Sequence, residues 1–300
     1  MLLIKDFLKD VKLEENTKNR LEFIWEEIEE FLEKFRKYPE ESQKIFLQDY
    51  LIKEVANSSK IENAMYSFDA IRLYEDLLYN RKIDKEVLKN VNMSVRYKDQ
   101  IIEQEKYINY YSSMSYSEYL ENEKYNLEGN YRKTMAWIGP DNDIEKAVHV
   151  APKPEEIEEY MKDFFSYCNN EDYIDNEELN DPIVKAVLLH VIFIKIHPFA
   201  NGNGRTARIL LNNHLRDEIN KKYNLEYPYP PINLSMSFDL SKSTYNEKQN
   251  AIIYKDGVDN NEAINSWIKY NIIAISEQLY YLNERLNEYS DMFTNDEKIK

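Results

Sequence analysis

Residues Pro182–Ile196 form a strongly apolar run in which only Lys185, His190 and Lys195 are polar. A helix that is hydrophobic on every side has no face suited to water, so this run predicts a central helix buried among others. The chain has 300 residues, enough to build the layer of structure that such a helix needs around it. With only 5 Gly and 9 Pro, its composition favours long helices over a turn-rich β-sandwich.

Helical spacing of apolar residues recurs on both sides of this run. One apolar stripe predicts a helix from about Thr17 to Lys37, stopped by Pro39. A second helical pattern begins near Glu41 and is interrupted by the small polar cluster at residues 57–59. Further helices are expected at residues 67–78, 84–94, 101–121, 154–167, 205–217 and 263–289.

The segment from residue 122 to residue 154 departs from this helical spacing. It holds Gly129, Gly139 and three Pro around two short runs, at residues 134–138 and 147–150. Glycine and proline mark turns, so we expect the two runs to pair as a small hairpin. The predicted fold class is therefore mostly α-helical, with one small β-hairpin.

Charge and cysteine content exclude several classes of function. The chain has 39 Lys and Arg against 55 Asp and Glu, and its net charge of −16 opposes nonspecific binding to nucleic acid or to anionic lipid. Cys168 is the single cysteine, which excludes an intramolecular disulfide and a cysteine-based zinc cluster.

The N-terminus lacks the pattern of a signal peptide, and no apolar run reaches about 18 residues. We expect a cytoplasmic protein that binds neither nucleic acid nor membrane.

The loop HPFANGNGRTAR, residues 197–208, concentrates two of the five glycines between two central helices. Gly202 and Gly204 allow unusual backbone angles and close approach to a ligand, and the helix that follows presents N–H groups with a partial positive charge. Arg205 and Arg208 stand three residues apart, so both guanidinium groups can reach the same side and bind phosphate oxygens. The loop predicts a site for a ligand with two or more phosphates. Its glycine spacing is not that of a Walker loop, and no strand precedes it as in a Rossmann fingerprint.

This loop closely resembles the signature of the Fic family. That signature is His-x-Phe, any residue, Asp or Glu, Gly-Asn-Gly-Arg, two spacers and Arg; every specified position matches except the acidic one, which is Asn201. The resemblance continues through IGP at Ile138, VHVAPKPEEIEEYM from Val148, DPIVKAVLLH from Asp181, and Trp267. It implies a helical Fic core at residues 121–290 with a β-hairpin flap, preceded by a helical region at 1–120. The acidic tail at 291–300 is expected to be frayed.

Carried over position by position, the resemblance implies transfer of AMP from ATP to a protein. His197 would take the proton of a target hydroxyl, which then attacks the α-phosphate; imidazole suits this step because its pKa lies near neutrality. Asn201 stands where the family holds Mg²⁺. Val148 and His149 belong to the flap, which aligns a target segment by strand addition. The positions implied to bind ATP and its phosphates are Gly202, Asn203, Gly204, Arg205, Arg208 and Tyr245.

A second motif lies far upstream, at residues 58–63, SSKIEN. It resembles the inhibitory motif of the family, which is Ser or Thr, three residues, Glu, then Gly or Asn, with Ser58 and Glu62 in the named places. The resemblance implies that Glu62 pairs with Arg208 and keeps the γ-phosphate from binding productively. Taken alone, Ser59 and Glu62 also have the spacing of a helix-capping box.

Three functions remain open at this point. The first is AMP transfer to a Ser, Thr or Tyr hydroxyl of a target protein, with the chain itself among the candidate targets. The second is removal of AMP from a modified protein, with water as the nucleophile and Glu62 positioning it. The third is a regulatory module that binds nucleotide and transfers nothing, because Asn201 offers magnesium a carbonyl oxygen without a charge. The target protein, the nucleotide preference and the oligomeric state stay open.

Overall fold

The computed structural model describes residues 2–61, 131–139, 143–169, 173–199, 202–227 and 229–296. The helices expected at 67–78, 84–94 and 101–121 lie outside these ranges, as do Glu62, Asn201 and the last four residues of the tail. Within the ranges the fold is mostly α-helical, as predicted. The helices are α1 (Ile4–Leu8), α2 (Glu15–Phe35), α3 (Glu40–Ile61), α4 (Ile157–Asn169), α5 (Pro182–Ile196), α6 (Asn203–Tyr223), α7 (Ser235–Leu240), α8 (Lys242–Ala251) and α9 (Asn261–Asp296).

Helix α5 is the centre of the fold, as its sequence predicts. Every residue from Ile183 to Ile196 is buried. Asp181 caps the N-terminus by accepting hydrogen bonds from the backbone N–H groups of Ile183 and Val184, and Pro182 fills the first helical position. Helices α5 and α6 make the most extensive helix–helix contact among the described elements. The loop that joins them is therefore fixed at both ends by buried helices.

The outer helices cover this centre. Helix α9 packs against both α2 and α5, and the indole N–H of Trp267 donates to the carbonyl of Val187 at 2.9 Å. Helix α3 packs mainly against α7 and touches α6. The buried side of α2 carries the predicted apolar stripe: Leu21, Ile24, Ile28, Phe31, Leu32 and Phe35.

The predicted hairpin is present. Strand β1 (Trp137–Ile138) pairs antiparallel with β2 (His149–Val150), with Ile138 opposite His149. Gly139 follows β1, and a Cβ there would lie 3.1 Å from the Cα of Ala147, so a side chain at this position would crowd the returning strand.

Helix α3 differs from the sequence-based expectation because it runs without a break through residues 57–59 to Ile61. The amide of Asn57 donates to the carbonyl of Lys53 at 2.8 Å, and Ser58 makes tertiary contacts described below, so the polar cluster is stabilised within the helix. Ser59 therefore lies inside a helix and not at an N-cap, and the capping-box interpretation is wrong. Among the residues described, no helix is both long enough and apolar enough to cross a membrane.

Candidate functional site

His197 ends α5 in the left-handed conformation, with φ 51° and ψ 56°. Its backbone N–H donates to Phe193, and its ring Nδ1 lies 3.3 Å from the carbonyl oxygen of Ile194. A carbonyl only accepts, so Nδ1 is the donor and the lone pair of the neutral ring is on Nε2. The fold therefore presents a half-buried imidazole whose Nε2 can accept a proton.

The loop after His197 is closed by the side chain of Asn203. Its Oδ1 accepts the backbone N–H of Phe199 at 2.9 Å, and its Nδ2 donates to the carbonyl of Phe199 at 2.7 Å. Phe199 itself is buried against Tyr131 and Phe193. The amide of Asn203 is thus engaged with the loop backbone, which differs from the expected contact between this side chain and a phosphate. Buried backbone groups at a sharp turn need partners, and Asn203 supplies them.

Helix α6 begins directly beyond this turn. Gly202, with φ 81°, precedes its first residue, and the backbone N–H of Thr206 donates to the carbonyl of Gly202 at 2.9 Å. The N–H groups ahead of Thr206 have no partner within the helix, and the helix dipole adds a partial positive charge there. Gly204 and the partly exposed Arg205 lie in this first turn. Two of the predicted anion-binding residues, Gly204 and Arg205, therefore lie in the first turn of a helix that begins six residues after His197.

Arg208 lies one turn further along α6 and is 1% exposed. Its Nε donates to the hydroxyl of Ser58 and one terminal nitrogen donates to the carbonyl of Ser58, each at 2.8 Å. The structure thus joins the two motifs that the sequence singled out, across 150 residues of chain. Glu62, the second residue of the upstream motif, lies outside the described residues.

Tyr245 supports Arg208 from within the core. The Tyr245 hydroxyl lies 3.5 Å from a terminal nitrogen of Arg208 and 2.9 Å from Nε2 of His190. The ring is 3% exposed and stacks on Phe238 at 4.6 Å, so it offers no open face to an adenine in this conformation. Burial, followed by the charge of Arg208, lowers the pKa of His190 well below its usual range.

Glu54 is a functional candidate that the sequence analysis did not identify. It is 2% exposed, and its carboxylate accepts hydrogen bonds from Asn212 at 2.8 Å and from the backbone N–H of Ser235 at 2.9 Å, as well as from the Ser235 hydroxyl. Burial raises the pKa of Glu54, while the hydrogen bonds and the charge of Arg208 oppose that rise. The sequence signal that could have identified Glu54 is its spacing. Tyr50, Glu54 and Ser58 recur every four residues on one face of α3 and form a polar stripe that packs on the core.

We expect Glu54→Ala to lower the free energy of unfolding by about 1–3 kcal/mol, because buried donors on Asn212 and Ser235 lose their acceptor. Urea denaturation followed by circular dichroism measures the change. Glu41→Ala is the matched control, since this carboxylate is exposed on the same helix, and it should change stability by no more than about 0.5 kcal/mol. Equal effects of the two substitutions would contradict the assignment of Glu54 as a buried anchor.

The hairpin is attached to the end of α5. Nε2 of His149 lies 2.8 Å from the carbonyl oxygen of Lys195, two residues before His197. His149 is 7% exposed, and its burial lowers its pKa to about 4. On either side of it, Val148 and Val150 are 51% and 44% exposed. The hairpin therefore has one anchored face and one apolar face open to solvent.

The described residues contain no group of three or more His, Cys, Asp or Glu side chains that could hold a metal ion. Asn201, the position that resemblance assigns to magnesium, lies outside them. The assignment of Asn201 to magnesium therefore stays a prediction.

Comparison with known sequences agrees with this geometry. Residues 98–215 match the model of the Fic/DOC family. The protein adenylyltransferase Fic of Nematostella vectensis is 38% identical over 84 residues, which are 28% of this chain and 17% of that protein. The protein adenylyltransferase fic-1 of Caenorhabditis elegans is 34% identical over 84 residues, 28% of this chain and 14% of that protein. The matched stretch thus spans about a sixth of the length of these relatives.

Solved structures extend the likeness to most of the chain. A Fic family protein from Desulfovibrio desulfuricans G20 matches 91% of this chain and 76% of its own, with a TM-score of 0.61 and 18% identity. A Fic domain containing signaling protein from Bacteroides thetaiotaomicron VPI-5482 matches 85% and 96%, with a TM-score of 0.60 and 18% identity. The predicted fold, a helical core with a small hairpin, is confirmed.

Proposed function

We propose that this chain, whose residues 98–215 match the Fic/DOC family model, transfers AMP from ATP to a Ser, Thr or Tyr hydroxyl of a protein. The observation that carries the proposal is the position of His197 at the end of α5, on the loop that leads into the N-terminus of α6. Its Nδ1 faces the Ile194 carbonyl, so Nε2 can act as a base, and the adjacent helix start suits a phosphate. The names of the relatives, protein adenylyltransferases, agree with this reaction.

In the proposed reaction, Nε2 of His197 removes the proton from the target hydroxyl. The hydroxyl oxygen forms a bond to the α-phosphorus, and the bond from that phosphorus to the oxygen bridging to the β-phosphate breaks. Pyrophosphate leaves with the bond's electron pair, while AMP stays on the target and the proton stays on His197. Backbone N–H groups of α6 and Arg205 hold the phosphates. Magnesium would arrive with the nucleotide, since it commonly takes much of its coordination from substrate phosphates and water.

A protein target fits the hairpin. Strand β2 presents Val148 and Val150 to solvent, and its anchor, His149, ties it to the end of α5. An extended target segment that paired with this hairpin would lie beside His197, because His149 binds the carbonyl of Lys195, two residues before the base. This arrangement favours a polypeptide over a small molecule as the acceptor of AMP.

We further propose that α3 inhibits the site. Ser58 occupies Arg208 with two hydrogen bonds, and Glu62 follows at the same four-residue spacing that separates Tyr50, Glu54 and Ser58. A γ-phosphate that needs Arg208 would compete with these contacts. Displacement of α3 from α6 and α7 would therefore activate the protein.

Incubation of the purified chain with a cell lysate and ATP labelled on the α- or the γ-phosphate tests this function. Protein-bound α-label that depends on the added chain supports AMP transfer, and His197→Ala is the control for contaminating activities. Protein-bound γ-label would indicate phosphate transfer instead. Release of AMP from a previously labelled protein would favour the reverse reaction, and nucleotide binding without either reaction would favour a regulatory module.

A further inference from the structure

Arg132 is a buried cation outside the sequence motifs. It lies ahead of the hairpin and is 4% exposed. All the hydrogen bonds that it donates within the described residues go to backbone carbonyls. Burial lowers the pKa of its guanidinium, so the protein keeps a charge here against a desolvation cost.

The carbonyls that Arg132 binds belong to two separate parts of the site. Its Nε donates to the carbonyl of His197 at 2.7 Å, and its backbone N–H donates to that of Pro198 at 2.9 Å. The terminal nitrogens donate to Thr134, at 2.8 Å, and to Pro152. Thr134 precedes β1 and Pro152 follows β2, so one guanidinium binds both ends of the hairpin and the histidine.

The hydrogen bond from Arg132 to the His197 carbonyl stabilises the backbone conformation of His197. His197 is left-handed, a conformation that costs energy in a residue with a side chain and persists where its surroundings hold it. The charge-assisted hydrogen bond from Arg132 to the His197 carbonyl supplies such a hold. The orientation of the imidazole follows from this backbone turn.

We propose that Arg132 is a positioning residue that fixes the hairpin and His197 relative to each other, so that a target hydroxyl held by the hairpin meets Nε2. The inference rests on the proposed function, but the coupling of the two segments does not. The planar, five-donor fork of arginine matches several carbonyls at once, whereas a lysine offers one compact group. Arg132→Lys therefore keeps the charge and loses the simultaneous contacts.

The first measurement is hydrogen exchange on the full chain, which needs no activity. In Arg132→Lys, the amides of residues 137–139, 143–150, His197 and Phe199 should exchange at least about tenfold faster, while those of α2 and α9 stay protected. Arg132→Gln, which removes the charge and keeps two donors, should give the same pattern. Lys133→Ala is the matched control, because Lys133 is the exposed neighbour, and it should leave exchange unchanged. Unchanged exchange in both Arg132 variants overturns the proposal.

The second measurement separates positioning from general structural damage. In Arg132→Lys, self-labelling from α-labelled ATP should fall about 10- to 100-fold, whereas the Kd for ATP should change less than about twofold, because the phosphate-binding groups are on α6. Equal losses of rate and affinity, or a wild-type rate, overturn the positioning role. If neither the parent chain nor its Glu62→Gly variant labels any protein, the proposed function is overturned. The exchange result then still decides whether Arg132 couples the hairpin to His197.

Discussion

His197→Ala should lower the rate of AMP transfer by about 10²–10⁴-fold and leave ATP binding nearly unchanged. The loss is expected because the imidazole is assigned to the target hydroxyl, while the phosphates are assigned to the start of α6 and its arginines. The measurement is the rate of protein-bound α-label together with the Kd for ATP. The Kd is the internal control, since a variant that fails to fold loses binding as well as turnover.

The contacts of His197 make this prediction specific to the base. Its Nδ1 faces the Ile194 carbonyl and its own carbonyl accepts from Arg132, so removal of the ring leaves the backbone partners of the loop in place. A variant with wild-type turnover would remove His197 from the mechanism. A variant that loses ATP affinity as strongly as rate would move His197 into the nucleotide site.

Glu62→Gly should raise AMP transfer by roughly one to three decades. If the proposed pair between Glu62 and Arg208 has the strength of a buried charge pair, breaking it costs about 2–5 kcal/mol, and about 1.4 kcal/mol is worth tenfold in an equilibrium, which gives this range for the gain in competent protein. Ser58, the first residue of the upstream motif, contacts Arg208, the residue proposed to bind the γ-phosphate. Arg208→Ala should be inactive, and Glu62→Gly should not rescue it, because the phosphate contact is gone.

Lys44→Gly is the matched control for the latch. It places the same helix-weakening residue at an exposed position of α3, away from Ser58 and its contacts with Arg208. Equal activation by both glycines would show that α3 inhibits through its stability alone. A Glu62→Gly chain with unaltered specific activity would contradict the latch, and loss of an AMP-removing activity would favour the reverse reaction.

The sequence predicted the parts of the fold that depend on local pattern. The apolar run of α5, the stripe of α2 and the turn residues around the hairpin each identify their element, because period and composition follow directly from burial and backbone geometry. The loop at residues 197–208 could be assigned from glycine and arginine spacing. The resemblance predicts that Glu62 pairs with Arg208, which stays a prediction, whereas the contact between Ser58 and Arg208 comes from the structure.

The remaining features depend on tertiary contacts that no local pattern encodes. Residues 57–59 look like a helix break, yet α3 continues because Asn57 bonds back to Lys53 and Ser58 binds Arg208. The position of Asn203 in the motif predicts a phosphate ligand, whereas in the structure its side-chain amide is hydrogen-bonded to the backbone of Phe199. Arg132 shows no motif of its own, since its partners are backbone carbonyls from both ends of the hairpin and from the loop.

The central claim is that His197 drives transfer of AMP, with loss of pyrophosphate, to a protein. One measurement tests it most directly: protein-bound label from α-labelled ATP and released pyrophosphate, counted in the same reaction, for Glu62→Gly with and without His197→Ala. We predict one pyrophosphate for each label bound, and loss of both when His197 is replaced. Protein-bound label that survives the loss of His197, or label that arrives from the γ-phosphate, would contradict the account.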